Sequence, residues 1–456
     1  MNRLRGMTRL PALLASAALV AACVGGSTAQ PTSPGPTASP TVTASSAPTP
    51  STSPAGTIEL ARSDASRSIV DPAQAAAAAD ALNAFGVDMY ARIATEPGNI
   101  VISPASIAIA LSMAQAGARA TTADEMDIVL HGLGSDDLAD AANALDAALA
   151  ARSGTFKDLA GVDQEVALRI ANALFVQHDM ALEAAYLDAM AARYGAGLWT
   201  VDYASDPEAA RLAINAWVAE QTEDRIEDIL HPGQVTPMTR LALANAIYLK
   251  AAWLAPFDKE ETQPGSFTLG DGSSVQVPLM HLTATLGYGA GDGWHAVDLP
   301  YVGGNLAMTV ILPDDLSTFE ASLDADALAA IVGSLDQTMV VLTMPVFDTE
   351  TWADLGSLLV AMGMPTAFDP LAADFSGMTT AANLYIQKVI HQANITVDEA
   401  GTEAAAATVI LMGDTSGPGS PPIELRVDRP FLFVLRDVPT GAVVFMGRVA
   451  DPSVTR

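Results

Sequence analysis

The sequence predicts an α+β fold, with helices concentrated early in the chain and strands late. Apolar residues recur at helical spacing over residues 72–93, whereas they alternate along the chain over 340–347 and 425–435. Helices and strands are segregated instead of alternating, which argues against a doubly wound parallel sheet. With 456 residues, half of them hydrophobic, the chain can bury a large core.

The predicted elements follow one another without an internal repeat or a second linker. Thr122 and Glu125 have the spacing of a capping box at a helix start. A turn at residues 438–441 precedes the last strand and indicates a C-terminal hairpin. We therefore expect residues 71–456 to form one large domain. The predicted helices cover residues 72–93, 106–118, 122–130 and 138–151, and the predicted strands cover 241–249, 340–347, 425–435 and 442–449.

Charge and metal-ligand chemistry exclude several functions. The formal net charge is −30, and such an acidic chain repels phosphate backbones, so nucleic acid is not an expected partner. Cys23 is the only cysteine, which excludes an intrachain disulfide and a zinc site built on paired cysteines. No two of the six histidines have the spacing of metal ligands on one helix face. We expect neither a metal nor another cofactor.

The N-terminus has the pattern of a bacterial lipoprotein signal peptide. Arginines at positions 3, 5 and 9 precede an apolar stretch over residues 10–22, which is too short to span a membrane. The stretch ends in Val-Ala-Ala-Cys at residues 20–23, which resembles a lipobox. In a lipobox, Cys23 would be lipidated and residues 1–22 removed. Ordinary secretion with a bystander cysteine is the alternative.

A spacer is predicted behind this cysteine. Ser, Thr, Pro, Gly and Ala dominate residues 24–58, and no periodic apolar face is present. Such a segment cannot bury enough surface to offset its conformational entropy, so we expect it to be disordered. Residues 23–58 would then hold the domain off the membrane, although a leader without function is the alternative. We expect an extracellular or cell-envelope protein that contacts the membrane only through its lipid.

Short motifs along residues 99–449 resemble those of the serpin family. No single motif is decisive, but they occur in the family's order over nearly the whole predicted domain. The matching segments are residues 99–106, 117–118, 121–122, 172–175, 214–218, 222, 245–250, 253, 256–257, 299–301, 311–313, 344–347, 362–364, 367–368, 399–407, 430–433 and 445–449.

The resemblance implies the serpin fold, with three β-sheets, eight or nine helices and an exposed reactive loop. It also implies suicide inhibition of a serine protease, not enzymatic activity. The protease cuts the loop, becomes acylated, and is carried across the molecule as the loop inserts into the central sheet. A noninhibitory serpin, or a binding module at the cell surface, is the alternative.

The resemblance places the hinge of the reactive loop at residues 399–408. In an inserted strand, the even-numbered residues from Thr402 would face the core, and the odd-numbered residues from Glu403 would face the solvent. The inward residues are small and uncharged, so they can enter a sheet without overpacking, and Gly401 provides backbone freedom. Noninhibitory members tend to have bulky, charged or proline residues here. The hinge residues are Glu399, Gly401, Thr402, Glu403, Ala404, Ala405, Ala406, Ala407 and Thr408.

Two further groups match serpin positions beneath the strands that part. Ser103, Ser106, Asn245 and His391 match the shutter, a hydrogen-bonded cluster, and Trp253 matches the breach, where opening begins. A buried polar cluster destabilises the fold unless its members are paired. From the residues alone, an ordinary core histidine and an ordinary core tryptophan are the alternatives.

The reactive bond is predicted between Thr415 and Ser416, with Asp414 and Met412 nearby. Counting from the hinge glycine places it there, whereas counting back from the Pro-Phe motif places it nearer Gly419. We prefer the first count because trapping requires a fixed insertion length. Residues 413–418 also superficially resemble the nucleophile segment of chymotrypsin-like proteases. That serine is displaced by one position and has no recognisable histidine base upstream, so a loop tip is preferred.

The loop composition limits the expected target. No Lys or Arg lies between Gly401 and Arg426, so a trypsin-like protease is not expected. The small, β-branched Thr415 favours an elastase-like or subtilisin-like protease. A chymotrypsin-like enzyme would require Leu411 or Met412, and an acid-specific enzyme would require the neighbouring aspartate. Residues 138–151 contain no Lys or Arg, so no heparin-like activator is expected, and we expect a monomer.

Overall fold

The four helices predicted early in the chain are present, and strands dominate the later part. The structure, a computed structural model of the chain, describes residues 58–136, 138–403 and 421–455, all within the unit Ser53–Arg456. A second unit, Met1–Thr52, lies outside the described residues, as do Cys23 and the spacer up to residue 57. Within the described ranges, no helix has both the length and the apolarity that crossing a membrane requires.

Nine α-helices are found in the described residues. Short 3-10 turns at Pro72–Gln74, Lys259–Glu261 and Thr366–Phe368 accompany them. The helices are α1 (Ala75–Ile93), α2 (Pro104–Gln115), α3 (Ala120–Val129), α4 (Ala139–Ala150), α5 (Ala184–Tyr194), α6 (Pro207–Gln221), α7 (Leu316–Ser322), α8 (Ala325–Gly333) and α9 (Gly356–Met362).

The predicted capping box at Thr122 and Glu125 is wrong. Helix α3 begins at Ala120, so Thr122 lies inside the helix. Both side chains bond instead to a distant segment: the Thr122 hydroxyl accepts from the N–H of Asp374 (2.9 Å), and Glu125 accepts from the N–H and hydroxyl of Thr366 (both 2.8 Å). Tertiary contacts thus use the polar atoms that local spacing had assigned to the helix end.

An eight-stranded sheet forms the centre of the fold. Its order is β1-β5-β4-β6-β14-β13-β12, and β3 pairs with β4 beside this path. The strands are β1 (Glu59–Ala61), β3 (Gly154–Lys157), β4 (Asp163–Gln177), β5 (Leu198–Val201), β6 (Leu241–Ala252), β12 (Phe347–Asp354), β13 (Lys388–Val397) and β14 (Gly401–Thr402).

A nine-stranded sheet packs against it. Its order is β15-β11-β8-β9-β10-β16-β17-β2, and β7 pairs with β8. The strands are β2 (Ile100–Ile102), β7 (Gln263–Thr268), β8 (Ser274–Gly291), β9 (Trp294–Pro300), β10 (Leu306–Pro313), β11 (Asp336–Pro345), β15 (Ile423–Arg426), β16 (Phe431–Asp437) and β17 (Val443–Val449).

The α+β fold class and the helix number are confirmed. The described strands form two hydrogen-bonded sheets instead of three. The long strand β8 pairs with β7, β11 and β9 and joins them into one sheet. The strand predicted over residues 425–435 is divided into β15 and β16. Pro430, which has no N–H, lies in the interruption, and the two strands pair with different neighbours.

The eight-stranded sheet is covered on both faces. All twelve residues of α2 are buried on its inner face, where Phe347 contacts Phe431 and Phe433 of the second sheet (ring centroids 5.7 and 5.4 Å). Helix α6 covers the outer face, where Trp217 packs edge-on against Phe175 (5.6 Å). The described fold also begins before residue 71, because β1 pairs antiparallel with β5.

Candidate functional site

The boundary between β6 and β13, which we call the central seam, is partly occupied by a third strand. The two strands pair directly and in parallel over six residue pairs, from Ala242–Lys388 to Ile247–Ala393. Beyond these pairs, the two residues of β14 lie between them and run antiparallel to both. The seam is therefore closed over most of its length and has begun to open at one end.

A tight turn at residues 398–401 feeds the chain into this opening. The Asp398 carboxylate accepts from the N–H groups of Ala400 (2.8 Å) and Gly401 (3.2 Å). Burial raises the pKa of Asp398, and these two N–H groups oppose that rise. Gly401 has a φ of +153°, and an added Cβ would lie 2.2 Å from the carbonyl oxygen of Ala251. Only glycine fits this close approach without displacing β6.

Two stacked aromatic residues hold the turn. Trp253 is buried, its indole Nε1–H donates to the Asp398 carbonyl (3.0 Å), and its backbone N–H donates to the Ala400 carbonyl (2.9 Å). Its ring stacks on Tyr301 (4.4 Å between centroids), and the Tyr301 hydroxyl hydrogen-bonds the Thr402 hydroxyl (2.7 Å). Tyr301 belongs to one of the matched motifs, but the motif alone predicts no role for it.

The described hinge residues are all buried or paired. Glu399 accepts from the Thr262 hydroxyl (2.6 Å), and Thr402 is almost fully buried on the inner face. Glu403 follows the end of β14 with a φ of +51°, and its carboxylate lies 3.2 Å from Arg225 Nε. Its expected solvent-facing position concerns a longer inserted strand and stays a prediction. Residues 222–240, which connect α6 to β6, cover the outer face of the eight-stranded sheet here.

The other predicted loop residues lie outside the described residues. These are Ala404, Ala405, Ala406, Ala407 and Thr408 of the hinge, and Met412, Asp414, Thr415 and Ser416 around the predicted reactive bond.

The structure brings the four shutter residues together and adds a fifth. Asn172, Asn245 and His391 lie opposite one another across β4, β6 and β13. The Asn245 amide donates to Asn172 Oδ1 (2.6 Å), to which the Ser106 hydroxyl also donates (2.8 Å). The Ser103 hydroxyl donates to the Val444 carbonyl (2.7 Å) and accepts from the Ser106 N–H (3.2 Å). Asn172 lies in the matched segment 172–175, and strand register reveals its place in the cluster.

One hydrogen bond of this cluster crosses the central seam. His391 Nε2 accepts from the Ser103 N–H (3.2 Å), so the neutral ring carries its proton on Nδ1. That proton is donated to Asn245 Oδ1 (2.5 Å), which joins β13 to β6. Burial lowers the pKa of His391 to about 3. The ring is therefore neutral at physiological pH, and the bond across the seam is between uncharged groups.

These contacts join hydrogen-bonded side chains that are not grouped as metal ligands. In the part of the chain that the structure describes, no three His, Cys, Asp or Glu side chains are grouped to hold a metal ion. The shutter cluster is closed to solvent by α2 and the strands. The hydrogen bond between His391 and Asn245 joins two uncharged groups across the seam. If the two strands separated, each group could form a hydrogen bond with a new partner.

Comparisons with known proteins identify the family of the chain and its fold. The family model described as "Serpin (serine protease inhibitor)" matches residues 80–452. An uncharacterized serpin-like protein of Thermococcus kodakarensis is 36% identical over 381 residues, covering 82% of this chain and 85% of the relative.

Solved structures share the same fold. The thermophilic serpin Tengpin in its native state superposes with a TM-score of 0.72 at 25% identity, over 85% of this chain and 96% of that protein. Thyroxine-binding globulin in complex with thyroxine superposes with a TM-score of 0.71 at 26% identity, over 83% of this chain and 99% of that protein.

Neutral burial of His391 predicts a pH-dependent stability. Its pKa is about 3 in the fold and about 6.5 when unfolded, so between these values the unfolded state binds an extra proton. The free energy of unfolding should fall as pH falls through this window, by at most about 1.4 kcal/mol per pH unit. Replacement of His391 by Gln removes this contribution and keeps an amide that can pair with Asn245.

The measurement is the urea unfolding midpoint of both proteins between about pH 7 and about pH 5. The unchanged protein should lose about 2 kcal/mol more than His391→Gln by about pH 5. Stability curves that fall in parallel would show that His391 is not held neutral by the fold.

Proposed function

Because the chain belongs to the serpin family, we propose that it is a suicide inhibitor of serine proteases. After cleavage, the hinge and the following residues would insert into the central seam as a new strand and carry the acylated protease with them. One observation carries the proposal: β14 already lies between β6 and β13, antiparallel to both, as the first two residues of such a strand.

The register of β14 defines where the rest of the strand would lie. Thr402 is opposite Ala251 on one side and Val397 on the other. Six residues further along, position 408 would lie opposite both Asn245 and His391. The inserted chain would therefore separate Asn245 from His391 and break the hydrogen bond between them. The threonine at this position has a hydroxyl that can pair with both groups as they separate.

The energy of insertion is sufficient for the mechanism. A strand entering between β6 and β13 replaces one ladder of main-chain hydrogen bonds by two, so each inserted residue gains about one bond, which contributes about 0.5–1.5 kcal/mol net. Over roughly ten residues this amounts to about 10 kcal/mol, comparable to the stability of a domain. The inward positions 404, 406 and 408 are Ala, Ala and Thr, so the new strand would not overpack the buried helix beneath it.

Membership of the family does not by itself establish inhibition. One solved structure with the same fold is that of thyroxine-binding globulin, whose name describes binding of a small ligand. The small, proline-free hinge of this chain supports insertion, whereas a carrier has no need of it. Formation of a covalent protease complex separates the two functions.

We further propose the target class and location. The absence of Lys and Arg between Gly401 and Arg426, together with the small Thr415, supports an elastase-like or subtilisin-like target. The lipobox-like sequence ending at Cys23 supports attachment to the outside of a membrane through a lipid.

Replacement of Thr402 by Arg tests the insertion register. The unchanged protein should form a denaturant-resistant complex with subtilisin or elastase, visible on a gel. Thr402→Arg would place a guanidinium against Tyr301 on the buried face, which is strongly unfavourable, so the variant should be cleaved as a substrate. Leu371→Arg is the matched control, because that side chain is 95% exposed and the same substitution should leave trapping intact.

The outcomes separate two parts of the proposal. Absence of a complex with any serine protease in a broad panel would contradict inhibition itself. Undiminished trapping by Thr402→Arg would contradict the register, since the arginine would then occupy this buried position of the sheet without penalty.

Membrane attachment is predicted to depend on Cys23. Cys23→Ala removes the sulfur that a lipid would modify, so the protein should move from the membrane fraction to the medium when expressed in a lipoprotein-processing bacterium. Cys23→Ser is a conservative control expected to behave in the same way. Retention of either variant in the membrane fraction would contradict the lipobox interpretation.

A further inference from the structure

Strand register shows where the chain enters the eight-stranded sheet. Glu59 of β1 lies opposite Thr200 of β5, which lies opposite Val176 of β4. Val176 lies opposite Leu241, the first residue of β6. Because β1 is antiparallel to β5, β5 is parallel to β4, and β4 is antiparallel to β6, strands β1 and β6 run in the same direction. The chain before Glu59 therefore comes from the end of the sheet where β6 begins, which we call the entry end.

The hinge lies at the opposite end of the same sheet. Thr402 is opposite Ala251, which is ten residues further along β6 than Leu241. At a rise of about 3.3 Å per residue, about 33 Å separates the two levels. We call the end at Ala251 the hinge end.

Contacts fix the position at which the chain joins the sheet. The Thr200 hydroxyl donates to the Glu59 carbonyl (3.2 Å), in addition to the pairing of β1 with β5. Further along the chain, Arg67 donates to Asn143 Oδ1 (2.7 Å) and to the carboxylate of Asp146 (2.6 Å) on α4. Glu59 is therefore the point at which the predicted spacer is attached to the folded domain.

We propose that trapping moves the protease from the hinge end to the entry end, so that on the anchored protein it is drawn towards the membrane. This inference rests on the inhibitory function and the lipid anchor proposed above. It adds the direction of the movement relative to the anchor. Suicide inhibition alone does not determine that direction, because a spacer can join a domain at either end.

The register of β14 defines where the acylated residue would lie after insertion. Residue 412 would be opposite Leu241, at the level of Glu59, and Thr415 would lie about 10 Å beyond it. The new strand would be four strand positions away from β1, which is about 19 Å at about 4.8 Å per strand. The bond to the protease would thus lie roughly 22 Å from the attachment point at Glu59.

The spacer is long enough to admit a protease at this end. A protease of roughly 250 residues has a diameter of roughly 45 Å. Glu59 follows Cys23 by 36 residues. A chain of this length spans about 30–36 Å as a flexible coil and up to about 110 Å when extended. The trapped protease would therefore fit between the domain and the membrane.

The experiment measures energy transfer from a dye on subtilisin, or on another protease that is trapped, to an acceptor dye in lipid vesicles. Residues 23–456 are coupled to a maleimide lipid through Cys23, the only cysteine of the chain. Protease whose nucleophilic serine is replaced by alanine reports the initial complex, and active protease reports the trapped complex. Transfer should rise about twofold or more on trapping, since the protease moves about 33 Å or more along the strands towards the attachment point.

The β3–β4 hairpin provides a second anchor position for the matched control. Leu159 at its tip is 52% exposed. The ring of Phe156 in the same hairpin lies against Gly303. The N–H of the adjacent Val302 donates to the Ala252 carbonyl (2.9 Å), so this hairpin lies at the hinge end.

The control variant combines Cys23→Ala with Leu159→Cys, so that the lipid is attached at the hinge end of the same domain. Trapping should then move the protease away from the vesicle and lower the transfer. Trapping in solution is measured first for both proteins. If Leu159→Cys does not fold, Ala160→Cys replaces it, because this neighbouring residue is also exposed.

Changes of opposite sign with the two anchors support the inference. Changes of the same sign, or no change with either anchor, would overturn it and leave inhibition standing, because covalent complexes are counted separately on a gel. If no protease forms a covalent complex, the inhibitory function is contradicted and both proposals fall. Because the lipid is attached chemically, the result does not depend on natural lipidation, which the fractionation of Cys23→Ala tests.

Discussion

The structure depends on one constraint, which is that β6 and β13 pair directly although an antiparallel strand has begun to separate them. Six parallel residue pairs close the seam, and two residues of β14 open it at one end. Parallel pairing is slightly less stable per residue than antiparallel pairing, and a strand between them would replace one ladder by two. The closed seam is therefore not the arrangement with the most hydrogen bonds that this sheet can adopt.

The polar residues around the seam follow from this constraint. A purely apolar seam would pack well but would offer no groups to exchange when the strands part. Here His391 and Asn245 are buried, uncharged and hydrogen-bonded to each other, so their separation exposes no buried charge. Trp253 and Tyr301 fix the turn that feeds the opening. Each group stabilises the closed sheet by contacts that can be released.

Periodicity predicted the fold class and the early helices because these depend on local spacing along the chain. The motifs located Ser103, Ser106, Asn245, His391 and Trp253, but no local pattern distinguishes them from ordinary core residues. The roles of Asn172 and Tyr301 could not be predicted, although both lie in matched motifs, because these roles depend on which strands pair and in what register. The capping box at Thr122 was wrong for the same reason, since a distant segment bonds to both of its side chains.

The most direct test of this account is the thermal stability of the protein before and after a single cut in the loop between residues 412 and 419. If the seam admits the released chain as a new strand, the cleaved protein should gain hydrogen bonds on both edges, and its melting temperature should rise by tens of degrees. A nick in an ordinary surface loop leaves the melting temperature unchanged or lowers it. Either of those results would contradict the claim that the closed sheet is metastable.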